Sequence, residues 1–505
     1  MNRICKFLLS SLLAVCAASA WAADMTYGIT FSSEQHYINV LLNVSGLKGR
    51  HTSLKMPVWA PGDYVIADYP KNLCDFKVTD AQGRPLPWRK EGKSTWVVAH
   101  GRCREMRVSY RVFADKDGLA DASVSAQRAF MPTNGVCMYV DGEKDHPVKL
   151  TVTPDPRWQQ LTTTLKRLSG KTNTFVADDV DELYDSPFLL GNHRVEHRRW
   201  DGVDYTFAIE TPEGIDQTDF FRDVQKIVGQ THRIFADVPM NQYCFFLLGE
   251  GQGGLEHANS QVCFTDGTFR FESRGAYLRM LYLIAHEYFH LYNVKRIRPA
   301  GLGPFDYDRE VFTPLLWLSE GLTMYYETEL LRRAGIIGME DELGKLSFFL
   351  HRIESKEGHR HMSLRQSSYD IWLNFMTDNA NEDDVCINYY FKGPVVALLM
   401  DIAICSRTEG RHTLDDLMRL LYTRYFRGKQ RGFSEEELWH AISETAGGDV
   451  ADLRRYVDAT DEIDYENLLR QVGMKVDRAS WQLQLDPHSG QAQKELLHRL
   501  WSPGF

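Results

Sequence analysis

The sequence predicts a multidomain α+β protein. An N-terminal all-β, sandwich-like domain is followed by a mainly α-helical domain that keeps a small β-sheet. Three observations carry this reading. At 505 residues the chain is too long for one ordinary domain. Up to about residue 195 its apolar residues recur in short, partly alternating runs. From about residue 215 they recur at helical spacing.

The first 22 residues stand apart. Arg3 and Lys6 precede an apolar run from Phe7 to Ala18, and Ala20-Trp21-Ala22 supplies a small-x-small cleavage site. This is the pattern of a secretory signal, cut after Ala22. A lipoprotein reading through Leu13-Ala14-Val15-Cys16 is weaker, because Val15 is bulky for that cleavage. The expected product is exported, to the periplasm before full secretion or lipid anchoring. Residues 1–22 carry two positive charges and no acid, so the net charge of −10 becomes −12 without them. That balance argues against nucleic acid as a partner. Later apolar runs are short or broken by charge, so no membrane span is expected after the signal. Seven of the nine cysteines lie beyond residue 22 with no Cys-x-x-Cys, which suits scattered thiols as well as disulfides and does not suggest metal ligation.

Residues 23–195 read as strands: YINVLLNV, SLKMPVWA, STWVVAH, MRVSYRVFA and VKLTVTP, separated by turn clusters such as APGD and DAQGRP. Residues 196–475 form the second domain. Phe220, Phe221, Val224, Ile227, Val228, Ile234 and Phe235 fall on one helical face, and a strand follows at Tyr243–Leu248. Ser434 and Glu437 make a capping box for a helix at FSEEEL, with Phe433 placed to staple onto Leu438. Residues 476–505 are a polar tail with no evident structure.

Chemistry concentrates in the helix AYLRMLYLIAHEYFHLYNV. It is apolar on nearly every face, so it should be buried. His286, Glu287 and His290 would be costly there without partners. Zinc removes that cost: imidazoles at i and i+4 point the same way, with Glu287 beside them as a base toward water. A chance match to this short pattern has odds of roughly a few per cent in such a chain. A catalytic zinc needs a third protein ligand. Glu320, set among Leu316, Trp317, Leu318 and Leu322 in the next strong helix, suits that role better than Asp306, Asp308 or Glu310 in a polar loop. Glu327 returns to the face of Glu320 and suits either a supporting contact or an exposed helix charge.

Upstream, GQGGLEH places Gly253, Gly254, Glu256 and His257 between two apolar strands. The plain reading is a surface turn. The alternative is a sheet edge on which an extended peptide pairs, with Glu256 receiving its ammonium group. Downstream, Tyr389 and Tyr390 precede an apolar helix. Core packing is the simpler reading of both, although a tyrosine hydroxyl can stabilise an oxyanion.

HEYFHLYNVKRIRP, LLWLSEGLTMYYE, GGLEH, YYFKG and the N-terminal stretch PVWAPGDYVIADYPKN together resemble the glycyl aminopeptidase family of gluzincin zinc metallopeptidases (metallopeptidase family sixty-one). The resemblance runs over most of residues 25–475. It implies a thermolysin-like catalytic domain with one zinc held by His286, His290 and Glu320, and with Glu287 as general base. It also implies recognition of the substrate amine by Glu256 and an oxyanion-stabilising role for Tyr390. Family members usually carry a PDZ domain after the catalytic one, and residues 476–505 are too few for it. The expected activity is aminopeptidase cleavage of peptides, with glycine or other small residues preferred by virtue of the family name alone. Two readings compete: an endopeptidase with the same zinc site, and a zinc-containing peptide-binding protein without turnover, which would have no need of Glu287.

Overall fold

The computed structural model describes residues 23–210, 217–249, 251–265, 273–374, 381 and 384–501. The signal expected over residues 1–22 lies outside them. The chain divides into two compact units. The first comprises residues up to His193 together with Tyr307–Arg309, and the second comprises Arg194–Asp306 and Glu310 onward.

Among the described residues, unit 1 is built from sheets of seven, four and four strands. The large sheet centres on β1 (Asp24–Ser32), β2 (Tyr37–Ser45) and β3 (Glu105–Phe113), all antiparallel. In β2, Ile38, Val40, Leu42 and Val44 are buried while the residues between them are not, the period-2 pattern of a sheet with one covered face. Tyr27 donates to the Met138 carbonyl (2.6 Å) and Tyr110 to that of Val136 (2.8 Å), so buried hydroxyls find backbone partners. Tyr307 belongs here for the same reason. Its carbonyl accepts from the Val58 N–H (2.9 Å) and its hydroxyl donates to Asp181 (2.6 Å), while Asp308 pairs with Lys55 (2.6 Å).

Unit 2 opens with a five-stranded sheet of β4 (Arg194–Trp200), β5 (Val203–Ile209), β6 (Gln242–Leu248), β7 (Gly254–Glu256) and β8 (Ser260–Phe264). Its order is β4-β5-β6-β8-β7, so the short strand from the GGLEH segment forms one edge, antiparallel to β8. Helix α1 (Gln217–Phe235) buries the seven apolar residues that the periodicity singles out. Phe221 meets Phe207 of β5 edge-on at 4.8 Å, and Phe207 stacks on Phe245 of β6 at 4.5 Å. Such offset and edge contacts are the favoured aromatic geometries.

Helix α2 (Arg274–Phe289) starts at Ser273, whose side chain accepts from the Ala276 N–H. Tyr288 anchors its sheet side: the hydroxyl contacts Tyr205 of β5 (2.9 Å) and Nε2 of His232 in α1 (2.8 Å). His286 and His290, two residues to either side, therefore face away from the sheet. On that side Phe289 stacks on Tyr326 (4.3 Å) of α3 (Leu322–Arg333). Helix α3 is entered through a widened π-type turn at Trp317–Gly321, the kind of irregularity that tends to mark functional sites.

Helices α4 (Met339–Glu354) and α5 (Tyr389–Arg407) complete the surroundings. Helix α5 is the one described helix long and apolar enough to cross a membrane, although Lys392 and Asp401 interrupt its apolar run. It is instead a core helix, 83% of its most apolar window being buried in the fold. It meets the π-type turn backbone to backbone: a Cβ on Gly393 would lie 2.5 Å from Gly321 Cα, and one on Gly321 would lie 2.5 Å from Gly393 Cα. No side chain larger than hydrogen fits there.

The polar tail, whose structure the sequence leaves open, is ordered over its described residues. Beyond residue 473 the chain forms a hairpin, β9 (Met474–Asp477) and β10 (Gln482–Leu485), and then α6 (Gln491–Trp501). The Leu483 N–H donates to Ser347 of α4 (2.9 Å), and Trp501 is buried beneath the Arg332 guanidinium. Few residues of this segment are apolar, but Met474, Leu483, Leu500 and Trp501 are enough to dock it. All seven described cysteines are thiols.

Replacing Gly393 by alanine is expected to separate the π-type turn from α5 and to destabilise the protein by about 1–3 kcal/mol, the usual range for overpacking. A shift in the denaturant midpoint at unchanged slope would register it; an unchanged midpoint would contradict the close contact.

Candidate active site

Helix α2 delivers His286 and His290, and the π-type turn delivers Glu320. All three are buried. Glu320 Oε2 lies 3.4 Å from His286 Nε2 and 3.2 Å from His290 Nε2. Zinc ligands at about 2.0–2.1 Å in tetrahedral directions stand roughly 3.4 Å from one another, so these spacings suit such an ion. The three ligand atoms lie within 4.8 Å of one another.

The other ring nitrogens are spoken for. His290 Nδ1 lies 2.6 Å from the Asn293 carbonyl, which can only accept, so a proton sits on Nδ1 and Nε2 is the nitrogen left to face Glu320 or a cation. His286 Nδ1 donates to Glu327 Oε2 (3.1 Å), leaving its own Nε2 equally available. Glu327 is thus a buried supporting carboxylate and not an exposed helix charge. Its second oxygen pairs with Lys345 (3.2 Å). Burial would raise the Glu327 carboxyl, but Lys345 and His286 hold it below its ordinary value. Burial would likewise raise Glu320, yet His290 and His286 hold it far below the usual carboxylate range. Burial opposes the His286 imidazolium, but hydrogen bonds to Glu320 and Glu327 outweigh that and push its proton affinity well up. His290 is raised by Glu320 in the same way, against its own burial. Without a cation, the carboxylates of Glu320 and Glu327 favour protonation of the imidazoles beside them.

Glu287 behaves differently. Burial pushes its carboxyl up to about 7, with Glu256 and Glu320 adding to the rise and the two imidazoles opposing it. Its Oε2 is buried with no hydrogen-bond partner among the described residues, an orphaned acceptor that a water molecule beside the ligands would satisfy. Gly254 of β7 explains how it is held. A Cβ there would overlap the Glu287 carboxylate, so the edge strand runs directly against the base and requires glycine. Gly253, preceding it, adopts φ of 87°, a left-handed conformation natural to glycine.

Glu256 and His257 are buried at the end of the same strand, not on a surface turn. Glu256 approaches Glu287 and His290, with one oxygen or nitrogen from each lying within 4.8 Å of the others. Two carboxylates facing one space create a place for positive charge. The His257 N–H donates to the Ser260 carbonyl (2.8 Å), closing the turn into β8. Arg296 secures this turn to the end of α2, donating to the carbonyls of Ala258 (3.0 Å) and Leu291 (2.6 Å).

Tyr390 stands in the first turn of α5, whose N-cap Asn388 accepts from the Tyr390 N–H (2.9 Å). Its half-buried ring stacks on that of His286 at 6.4 Å between centroids, whereas Tyr389 is fully buried. The structure thus brings His286, Glu287, His290, Glu320, Gly254, Glu256 and Tyr390 to one locale. Of the rivals for third ligand, Asp308 is taken up by Lys55 in unit 1. Sequence reasoning gave no role to Asn293 or to the Gly321–Gly393 contact. Their only signals were the length of the motif around Asn293 and the glycine of YYFKG.

A buried His-Glu-x-x-His helix, completed by a glutamate from the next helix and flanked by a sheet edge, places the chain among the metallopeptidases. Residues 26–192 match the Peptidase M61 N-terminal domain and residues 279–396 match M61 glycyl aminopeptidase, together more than half of the chain. The chain belongs to the M61 glycyl aminopeptidase family, and it is an enzyme, a peptidase. Among solved structures it is similar to an aminopeptidase N family protein from Idiomarina loihiensis, with 27% identity and a TM-score of 0.84 over 90% of this chain and 79% of that one. Its fold also resembles an M1 zinc metallopeptidase mutant from Deinococcus radiodurans bound to a Tyr-Ser-Ala substrate, with 13% identity and a TM-score of 0.53 over 88% and 95% of the two chains. A third likeness is to Legionella pneumophila aminopeptidase A in complex with aspartic acid, with 13% identity and a TM-score of 0.54 over 89% of this chain and 51% of that one. No curated protein sequence matches the chain.

Two outcomes follow from the ligand environment. Glu327→Ala removes the carboxylate that orients His286 and is expected to weaken zinc binding about 10–100-fold, measured by chelator competition; wild-type affinity would refute the supporting role. Because zinc binds neutral imidazoles and the neighbouring carboxylates raise the proton affinity of His286 and His290, zinc uptake should release protons. Apparent affinity should then fall as pH is lowered, with binding enthalpies in isothermal titration depending on buffer ionisation.

Proposed function

We propose that the chain is an exported zinc aminopeptidase that removes N-terminal residues, glycine or other small residues among them, from peptides. The observation that supports this most directly is the position of Glu256: buried, at the end of an edge strand, and close to both Glu287 and His290. A carboxylate there suits a substrate ammonium group. An extended peptide adding to the edge of the sheet would carry its first peptide bond toward the ligands. The Deinococcus radiodurans relative, bound to a tripeptide, is consistent with substrates of this kind. Export rests on the sequence of residues 1–22, and the preference for glycine rests on the family.

His286, His290 and Glu320 would hold the zinc. When bound, it supplies Lewis acidity that polarises the scissile carbonyl and makes a water molecule more acidic. Glu287, whose carboxyl sits near neutrality, takes a proton from the attacking water at Oε2 and passes it to the leaving amine. Glu256 fixes the substrate's amino end, and Gly254 lets the strand lie against Glu287 so that the carbonyl and the base share one register. Tyr390, stacked near His286, donates its hydroxyl to the oxyanion of the tetrahedral intermediate. Partial desolvation of the site strengthens each of these contacts.

Glu287→Gln is expected to keep wild-type zinc affinity and lose at least about 1000-fold in turnover, as removal of a general base with its proton path implies. Retained activity would sink the mechanism. A second assay separates exopeptidase from endopeptidase. One peptide is presented with a free and with an acetylated N-terminus, and products are identified by mass spectrometry. Only the free form should lose its first residue; equal cleavage of both would favour the endopeptidase reading.

A further inference from the structure

We propose that Asn293 is a positioning residue for the metal centre, a single residue that ties the turn carrying Glu320 by its side chain and His290 by its backbone carbonyl. The proposal rests on the zinc reading above. Asn293 is fully buried, three residues after His290 where α2 has ended. Its backbone carbonyl accepts the Nδ1 proton of His290 (2.6 Å) and so sets the ring's orientation. Its side-chain Nδ2 donates to the carbonyls of Leu318 (2.9 Å) and Ser319 (3.0 Å) and approaches Thr323 Oγ1 (3.2 Å). Leu318 and Ser319 are the two residues before Glu320 in the π-type turn. Thr323 closes the arrangement by donating to the Ser319 carbonyl (2.7 Å). One residue thus grips a ligand from each of the two elements that must converge.

The chemistry is specific to an amide. A widened turn has weaker internal bonding than an α-helix, and its carbonyls need outside donors. Asparagine supplies two N–H groups at this reach. Aspartate has none and would set a negative charge against two carbonyl oxygens. Asn293 Oδ1 itself is buried with no partner among the described residues. Such an orphan is unfavourable in a dry interior, and the two carbonyls that Nδ2 satisfies offset that cost. What the amide offers in exchange is the location of Glu320.

The test uses the full chain, with zinc and cobalt as probes. Asn293→Ala is expected to weaken zinc about 10–100-fold in chelator competition, the range for residues that orient ligands. It should also alter the visible absorption of the cobalt-substituted protein and lower kcat at saturating zinc while KM changes little. Thr323→Val, which removes the hydroxyl's links to Asn293 and to the Ser319 carbonyl but leaves both contacts from Asn293 Nδ2 to carbonyls, should shift zinc affinity and the cobalt spectrum in the same direction by less. If Asn293→Ala lowers only the denaturant midpoint and keeps wild-type zinc affinity and cobalt spectrum, the proposal is overturned. If Asn293→Ala does not fold, Thr323→Val decides, and wild-type affinity and spectrum in that variant overturn it. A wild-type chain that binds neither metal overturns the zinc reading and the proposal together, and the wild-type titration identifies that case.

Discussion

Around His286 and His290 the interior of unit 2 gathers the carboxylates of Glu256, Glu287, Glu320 and Glu327. Charges removed from water are stable only when each is matched in place. Most of the local architecture can be read as that matching. Lys345 and His286 share Glu327, and the Asn293 carbonyl takes the remaining proton of His290. What stays unmatched among these four carboxylates is Glu287 Oε2. The same low-dielectric setting that makes the cluster demanding keeps the Glu287 carboxyl near neutrality, in the range useful to a base.

The sheet and the helices contribute different constraints. Tyr288 fixes the rotation of α2 through polar contacts to β5 and α1, which decides the face on which His286 and His290 emerge. The edge strand β7 is held at the base by Gly254, and the turn after it is tied by Arg296 to the end of α2. Glu256 is therefore placed by backbone geometry on two sides and does not depend on its own flexible side chain to find the site.

Much of this was legible in the sequence because it follows from periodicity. His286 and His290 share a helix face at any i, i+4 spacing, and the apolar surroundings of Glu320 distinguish it from Asp306, Asp308 and Glu310 without any knowledge of packing. The alternating strands of unit 1 and the apolar stripe of α1 are read in the same way. Glu327 could not be assigned, since a carboxylate one turn pair beyond Glu320 is buried or exposed according to which neighbour covers it. Asn293 was invisible because its partners are backbone carbonyls 25 and 26 residues away. The hairpin and helix after residue 473 are hard to read from sequence because a few buried apolar residues, Met474, Leu483, Leu500 and Trp501, dock a largely polar segment.

The contact of Gly321 with Gly393 bears on how such a site can vary. Elsewhere in the core, a change in one side chain is absorbed by neighbours that shift or switch rotamer. Between these two backbones there is no deformable layer. Glu320 and Tyr390 thus ride on elements geared directly to one another, and a displacement of either helix is transmitted to the other at full amplitude. The spacing of Glu320 and Tyr390 is thereby held outside the reach of ordinary side-chain substitution.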